Sequence, residues 1–228
     1  MKRGVFVTGT DTGVGKTLVS CALIGALRAR GIDVMPMKPV AAGATQVDGQ
    51  WANEDSVALM GAAGCSRSRL ADVTPVLLRE PMAPHIAAQR EGRRISLEPI
   101  RDAYARLRAH GAFVVAEGVG GFMVPLDKDL DSIDLARALD LPLVLVVGVR
   151  LGCLNHALLT AAAIHAAGLE LAGWVANAID PRMPVAEENV AALEQRLSAP
   201  LLGRLPFMAQ PDSRALARHL DVAPLMNR

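Results

Sequence analysis

The residues best suited to chemistry in this chain of 228 residues lie near its start, in VFVTGTDTGVGKT, residues 5–17. A β-branched run is followed by glycines and then by Gly-Lys-Thr, an order typical of phosphate-binding loops. In such a loop the backbone N–H groups face a phosphate, the lysine reaches the β- and γ-phosphates, and the threonine binds Mg²⁺. The common spacing needs glycine at position 10, but the chain has Thr10, with Gly9 one residue earlier. We therefore predict a phosphate cradle of unusual spacing, with Lys16 and Thr17 as its reactive side chains.

A magnesium-nucleotide site also needs a carboxylate at the end of a neighbouring strand. The apolar run AFVVAEG ends in Glu117, and Asp55 lies at the start of a helical pattern in WANEDSVALM. The pattern alone leaves two interpretations open for each residue. Glu117 is either a metal ligand or a strand-end acid in solvent. Asp55 is either a ligand or a first-turn acid favoured by the helix dipole.

Lysine is rare in this chain. Of 24 basic side chains, all but four are arginine, and the four lysines are Lys2, Lys16, Lys38 and Lys128. Arginine offers a planar fork and lysine a compact ammonium, so the few lysines indicate positions where a compact charge is required. Lys38 ends a predicted strand. Lys16 is in a similar place, because its loop directly follows a predicted strand. This makes Lys38 a second candidate for the site.

Apolar strand-like runs alternate with helical patterns along the chain. The predicted strands cover residues 4–8, 33–38, 112–117, 143–149, 171–176 and 201–205, and the predicted helices 16–30, 97–110, 156–167 and 185–197. Continuous apolar strands are buried on both faces, as in a parallel sheet covered by helices. We predict one doubly wound α/β domain over residues 1–228. The irregular stretches 39–53 and 118–131 are then expected at the carboxyl edge, where such sheets bind ligands.

Composition excludes several classes of function. A formal net charge of +1 gives no electrostatic reason to expect nucleic acid or a membrane surface as a partner. The longest apolar run, residues 143–147, is too short to span a bilayer. The first nine residues lack the apolar segment of a signal peptide. The cysteines show no metal spacing, which favours a cytoplasmic location without structural disulfides; they are Cys21, Cys65 and Cys153.

Six blocks together resemble the dethiobiotin synthetase family: VTGTDTGVGKT, MKPVAAG, NEDS, VAEGVGG, VVGVRLGCLNHALLT and AGWVANAI. The resemblance covers nearly the whole chain and also explains the extra residue between the loop glycines. It implies a P-loop NTPase-like fold with a mainly parallel sheet. It implies ATP-dependent carboxylation and ring closure of 7,8-diaminononanoate with CO₂ to give dethiobiotin, the penultimate step of biotin synthesis. The route would pass through a carbamate and a carbamic-phosphoric anhydride.

The resemblance also implies roles for individual residues. Lys38 and Lys16 would be catalytic, with Lys38 at the carbamate oxygen and the transferring phosphate. Mg²⁺ would be held by Thr17, Asp55 and Glu117. ATP would be bound by Gly13, Val14, Gly15, Lys16, Thr17, Leu18, Asp55, Glu117, Gly118, Val119, Gly120, Asn177, Ala178, Pro206, Phe207 and Met208. In that set Asn177 would hydrogen-bond adenine, and the last three residues would line the base pocket. The diamino acid would be bound by Lys38, Ala42, Gly152, Cys153, Leu154 and Asn155.

The resemblance further implies a homodimer, in which the carboxylate of the substrate is bound by a helix start of the other subunit. From the pattern, Asn155 is predicted to be the N-cap of the helix beginning at His156, where free N–H groups bind anions well. Two positions depart from the family pattern. Ala42 stands where a Ser or Thr that contacts substrate is expected, and Gly13 where some members carry an acid.

Two other classes of function stay open at this point. A switch-type P-loop ATPase of the partitioning or cofactor-insertion group would carry a second lysine early in the loop, and the residues around Asp11 provide none. A small-molecule kinase would carry an arginine-rich lid, and the nearest arginines, which we expect to form a solvated surface, are Arg90, Arg93 and Arg94.

Overall fold

The computed structural model describes residues 3–47, 49–109 and 111–226. Within these ranges the strands are β1 (Gly4–Gly9), β2 (Val34–Met37), β3 (Val40–Ala42), β4 (Thr45–Val47), β5 (Gln50–Ala52), β6 (Val76–Leu78), β7 (Phe113–Glu117), β8 (Pro125–Asp127), β9 (Leu130–Asp131), β10 (Leu143–Val149), β11 (Leu171–Ala178) and β12 (Leu201–Leu205). The α-helices are α1 (Lys16–Ala29), α2 (Glu54–Ala63), α3 (Leu70–Val73), α4 (Pro84–Arg90), α5 (Leu97–Arg108), α6 (Ser132–Leu139), α7 (Cys153–Ala166), α8 (Ala186–Glu194), α9 (Ser213–Leu216) and α10 (Ala223–Met226). Short 3₁₀ turns occupy Arg67–Arg69 and Ala217–His219.

The centre of the fold is a six-stranded sheet in the order β12-β11-β10-β1-β7-β2. Every strand pair in it is parallel. Because parallel strands end at the same edge, the loops that follow β1, β7, β10 and β11 meet there. The phosphate loop follows β1, which lies between β7 and β10, and is therefore central to that edge.

The inner strands β1, β7 and β10 bury both of their faces. In β1, Val5 and Val7 belong to one buried apolar cluster and Phe6 to the other, as alternation along a strand requires. Helix α1 contributes Leu23 to the first cluster, and α5 contributes Ile100 to the second. The sheet is thus covered by helices on both faces, which confirms the predicted doubly wound α/β class. No helix in the described ranges is long and apolar enough to cross a membrane.

All six predicted strands are present, with bounds within two residues of those expected. The predicted helix 16–30 ends at Ala29, and the helix 97–110 ends at Arg108, with position 110 outside the described residues. The helix expected at 185–197 is shorter, Ala186–Glu194. The stretch 39–53, expected to be irregular, contains β3 and the hairpin β4–β5, while 118–131 contains the hairpin β8–β9.

The start of α7 differs from the prediction in a way that matters for the site. The helix begins at Cys153 with Gly152 as its N-cap, three residues before the expected start. Asn155 lies inside the first turn, so its predicted role as N-cap is wrong. Glycine is accepted at N-cap positions. The apolar pattern is the same whether the helix begins at residue 153 or at residue 156, so it does not reveal the extra turn. The N–H groups of this first turn still point out of the helix end.

Candidate active site

The phosphate loop connects β1 to α1 and is held by close packing. Gly15 is the N-cap of α1 with φ of 87°, a left-handed conformation that favours glycine. A Cβ on Gly15 would lie 2.2 Å from Nδ2 of Asn177. That amide donates a hydrogen bond of 2.9 Å to the carbonyl oxygen of Val14. The end of β11 therefore fixes the loop backbone, and only glycine leaves room for this contact.

Lys16 is buried and folds back over its own loop. Its Nζ donates to the carbonyl oxygen of Asp11 at 2.9 Å. Burial, the largest cause, and the positive charge of Lys38 together lower the pKa of Lys16 to about 8, against the attraction of Glu117 and Asp55. The site thus contains two ammonium groups close enough to affect each other, a composition suited to an anionic ligand.

Three oxygen-bearing side chains converge beside the start of α1. Glu117 ends β7, and Asn53 caps α2 by accepting from the backbone N–H of Asp55, which orients that turn toward α1. Oγ1 of Thr17 lies 2.8 Å from Oδ1 of Asp55 and 2.9 Å from Oε1 of Glu117. A hydroxyl carries one proton and can donate to only one of these oxygens at a time.

This oxygen set fits a magnesium ion. Hydroxyl and carboxylate oxygens are the ligands that Mg²⁺ prefers. Oε2 of Glu117 is buried and has no hydrogen-bond partner, so the carboxylate retains a coordination position. The described part of the chain has no group of three or more His, Cys, Asp or Glu side chains able to hold a metal. The set Thr17, Asp55 and Glu117 combines two such acids with a hydroxyl.

Lys38 follows β2 and lies within the same cluster. Its Nζ is 2.6 Å from Oε1 of Glu117, 3.0 Å from Oδ2 of Asp55 and 3.2 Å from the carbonyl oxygen of Gly118. Burial alone would lower the pKa of Lys38, but the charges and hydrogen bonds of Glu117 and Asp55 raise it overall. Burial would raise the pKa of Asp55, and the charge of Lys38 and its hydrogen bond outweigh this and lower it. Lys38 is therefore an ammonium at neutral pH.

The remaining predicted nucleotide residues lie along the same edge of the sheet. The N–H of Gly118 donates to the carbonyl oxygen of Val7 at 2.9 Å, and a Cβ on Gly120 would lie 3.6 Å from Oγ1 of Thr12. The turn containing Val119 is thus beside the phosphate loop. Pro206, Phe207 and Met208 directly follow β12, whose Leu205 pairs with Asn177, so they adjoin Asn177 and Ala178. Leu18, in α1, is partly buried and packs against the apolar cluster that contains Leu23.

The predicted substrate residues fall into two groups. Ala42 ends β3, and its carbonyl oxygen accepts from Nδ2 of Asn53 at 3.1 Å. The start of α7 contains the second group, and in it Asn155 is exposed; the group is Gly152, Cys153, Leu154 and Asn155.

The structure also reveals a residue that the pattern did not single out. Arg150, one residue past β10, forms an ion pair of 2.6 Å with Asp11 of the phosphate loop. No motif marks a lone arginine after a strand.

The fold is shared with several solved structures. A ParA family ATPase from Chlorobium tepidum TLS superposes with a TM-score of 0.54 at 15% identity, over 99% of this chain and 94% of that one. A MinC:MinD cell division complex from Aquifex aeolicus gives 0.55 at 15% identity, over 91% and 82%. FtsY from Elizabethkingia anophelis gives 0.52 at 16% identity and covers 96% of this chain and 65% of its own. The parallel sheet, the phosphate loop and the similarity to these solved structures together define a P-loop NTPase fold.

Sequence comparison narrows this class to one family. A family model described as AAA domain matches residues 3–214. The relative from Nitrosospira multiformis, "ATP-dependent dethiobiotin synthetase BioD", is 53% identical over 98% of this chain and 96% of that protein. The protein of the same name from Xanthomonas oryzae pv. oryzae strain PXO99A is 53% identical over 93% and 94%. The chain belongs to the dethiobiotin synthetase family of ATP-dependent ligases, which act in biotin biosynthesis.

Proposed function

We propose that this chain joins CO₂ to one amine of 7,8-diaminononanoate and closes the ring through a carbamic-phosphoric anhydride. The observation that carries the proposal is the position of Lys38, a second buried ammonium on the carboxylates beside the phosphate loop. A nucleotide hydrolase needs cations at the phosphates alone, whereas a synthetase also needs a cation for the carbamate. Lys38 supplies that cation within the same cluster.

The chemistry is balanced in three steps. One amine nitrogen attacks CO₂ and loses a proton, which leaves a carbamate. A carbamate oxygen then attacks the γ-phosphorus of ATP, and ADP leaves. The second amine attacks the anhydride carbon and loses a proton to solvent, and inorganic phosphate leaves as the ring closes. No covalent bond to the protein forms, so the enzyme contributes positioning and charge.

The side chains divide these tasks. We assign Lys16 to the β- and γ-phosphates and Lys38 to the carbamate oxygen that approaches the γ-phosphate. Thr17, Asp55 and Glu117 would hold Mg²⁺, which neutralises phosphate charge when it is bound. Asn177, with its amide at the end of β11, is assigned to the adenine edge, and the residues Pro206, Phe207 and Met208 to the base pocket.

We further propose that the enzyme is a homodimer with sites shared between subunits, acting in the cytoplasm as one α/β domain. The first turn of α7 would bind the substrate carboxylate of the partner's site through its free N–H groups. Support comes from Leu151, 93% exposed just before α7, and Leu159, 61% exposed on it. We infer that a second subunit covers these two leucines.

Mixed dimers test the shared site. Lys16→Ala would remove the phosphate half of a site, and Asn155→Asp would repel the carboxylate at the other half. Each variant alone should be nearly inactive. After random subunit exchange in an equal mixture, half of the dimers hold one intact site, so activity should return to about a quarter of wild type. A mixture no more active than its components, with exchange confirmed by mass, would rule out sharing.

A switch-type ATPase is the alternative function, and a direct assay separates the two. ATP hydrolysis should be stimulated by the diamino acid together with bicarbonate, with label from bicarbonate recovered in an acid-stable product. Stimulation by a partner protein alone, without labelled product, would favour the switch ATPase instead.

A further inference from the structure

An ion pair joins the phosphate loop to the turn that leads into α7. The guanidinium of Arg150 lies 2.6 Å from Oδ2 of Asp11. The other carboxylate oxygen, Oδ1, accepts from the backbone N–H of Thr12 at 2.7 Å. Both oxygens of Asp11 are therefore engaged, one within the loop and one across to the neighbouring strand end.

Asp11 also contacts the ammonium of the loop. Its carbonyl oxygen accepts from Nζ of Lys16 at 2.9 Å. The orientation of this carbonyl depends on how the Asp11 backbone is held, and Arg150 holds it through the side chain. Arg150 is in turn anchored, because its carbonyl oxygen accepts from the N–H of Cys153 in the first turn of α7 at 3.0 Å.

We propose that Arg150 is a positioning residue for nucleotide binding, which fixes Asp11 and through it the ammonium of Lys16. The proposal rests on the assigned role of Lys16 at the phosphates, not on ring closure. The ion pair also connects the phosphate loop to the turn that leads into α7.

The pair does not account for the stability of the fold. The side chains of Arg150 and Asp11 are 41% and 46% exposed, and ion pairs at such positions contribute little to folding. The strand ends are held independently, since the N–H of Thr10 donates to the carbonyl oxygen of Val146 at 3.1 Å. A change at Arg150 should therefore alter loop geometry and leave the melting temperature nearly unchanged.

A double-mutant cycle on ATP binding tests the proposal. Calorimetry with ATP and Mg²⁺, without the diamino acid, is applied to Arg150→Gln, Asp11→Asn and the double variant. Each single change should weaken ATP binding about two- to fivefold, the scale of an exposed ion pair, and the double variant should be no worse than either. Arg150→Lys should recover part of the loss. Arg182→Gln is the matched control, because Arg182 forms an exposed pair of 3.8 Å with Asp180.

Unchanged ATP affinity in Arg150→Gln, or losses that add in the double variant, would overturn the proposal. A drop of several degrees in the melting temperature of Arg150→Gln would do so as well, because it would indicate a structural role. The same experiment distinguishes a failure of the positioning role from a failure of the proposed ring-closing reaction. If wild type binds ATP and shows the expected coupling but forms no ring product, ring closure fails and the positioning role stands.

Discussion

Nζ of Lys38 lies 2.6 Å from Oε1 of Glu117, and both side chains are almost completely buried. Glu117 ends β7 and Lys38 directly follows the neighbouring strand β2, so the pairing of these two parallel strands brings the side chains together. Asp55, arriving from the start of α2, contacts the same ammonium at 3.0 Å. One lysine thus balances two carboxylates at the point where phosphate and metal are expected.

Removing only one member of the buried ion pair between Lys38 and Glu117 should destabilise the fold. Lys38→Met should lower the free energy of unfolding by about 3–5 kcal/mol, because the carboxylate of Glu117 is left buried without its ammonium. The double variant Lys38→Met with Glu117→Gln should lose less than Lys38→Met alone. Urea unfolding without nucleotide or Mg²⁺ measures both. A double variant less stable than Lys38→Met would contradict the idea that the unpaired carboxylate of Glu117 causes the loss.

The hydroxyl of Thr17 should matter for metal and not for folding. Thr17→Val keeps the size of the side chain but removes the oxygen that contacts Asp55 and Glu117. We expect the Mg²⁺ concentration needed for half-maximal ATP binding to rise at least about tenfold, on the scale of lost metal-site contacts. Thr45→Val, on the exposed hairpin strand β4, is the matched control and should behave as wild type. Equal behaviour of the two variants would contradict the metal assignment.

The lowered pKa of Lys16 predicts a pH dependence. Its folded value is about 8 against 10.5 in a model compound, so the ammonium loses its charge above pH 8 in the free enzyme. Binding of metal-free ATP should be strong below pH 8 and weaken about tenfold per pH unit above it. Lys16→Arg stays charged and should remove that slope. A wild-type profile that is flat between pH 7 and 9.5 would contradict the assignment.

The same shift affects stability with a defined sign. Between about pH 8 and 10.5 the unfolded chain holds a proton on Lys16 that the folded chain has lost. The unfolded state then binds more protons, so the contribution of Lys16 to the free energy of unfolding rises with pH in this window. Comparing wild type with Lys16→Met by urea unfolding at pH 7.5 and 10 isolates this contribution.

Two loop glycines should respond differently to alanine. Gly13 and Gly15 both have left-handed φ, 74° and 87°, so alanine adds backbone strain of about 1–2 kcal/mol at either position. A Cβ at Gly13 meets nothing within 4 Å, whereas at Gly15 it would collide with the amide of Asn177. Gly15→Ala should therefore lose far more ATP affinity than Gly13→Ala. Similar losses, measured by calorimetry, would mean that the contact with Asn177 does not shape the loop.

The sequence pattern predicts the parts of this structure that depend on local chemistry. The phosphate loop and the six strands follow from the motif and the apolar runs, and Asp55 lies in a first turn as its helical pattern indicates. Strand order is set by contacts between distant segments, and the neighbourhood of Lys38 and Glu117 becomes visible only once β2 and β7 pair. The predicted start of α7 is wrong because Asn155 has the chemistry of a cap while Gly152 occupies that position. The link from Arg150 to Asp11 spans 139 residues and has no motif.

The central claim, that Lys38 acts on the carbamate, is tested most directly by Lys38→Gln. Wild type is given ATP, Mg²⁺, the diamino acid and labelled bicarbonate, and the acid-stable ring product is counted beside ATP affinity in the same preparation. The variant should bind ATP within about threefold of wild type, while product formation falls by roughly 10²-fold or more, as for other preorganised charges. Full product formation by the variant would remove Lys38 from the mechanism. Loss of ATP binding in a folded variant would assign Lys38 to the nucleotide site alone.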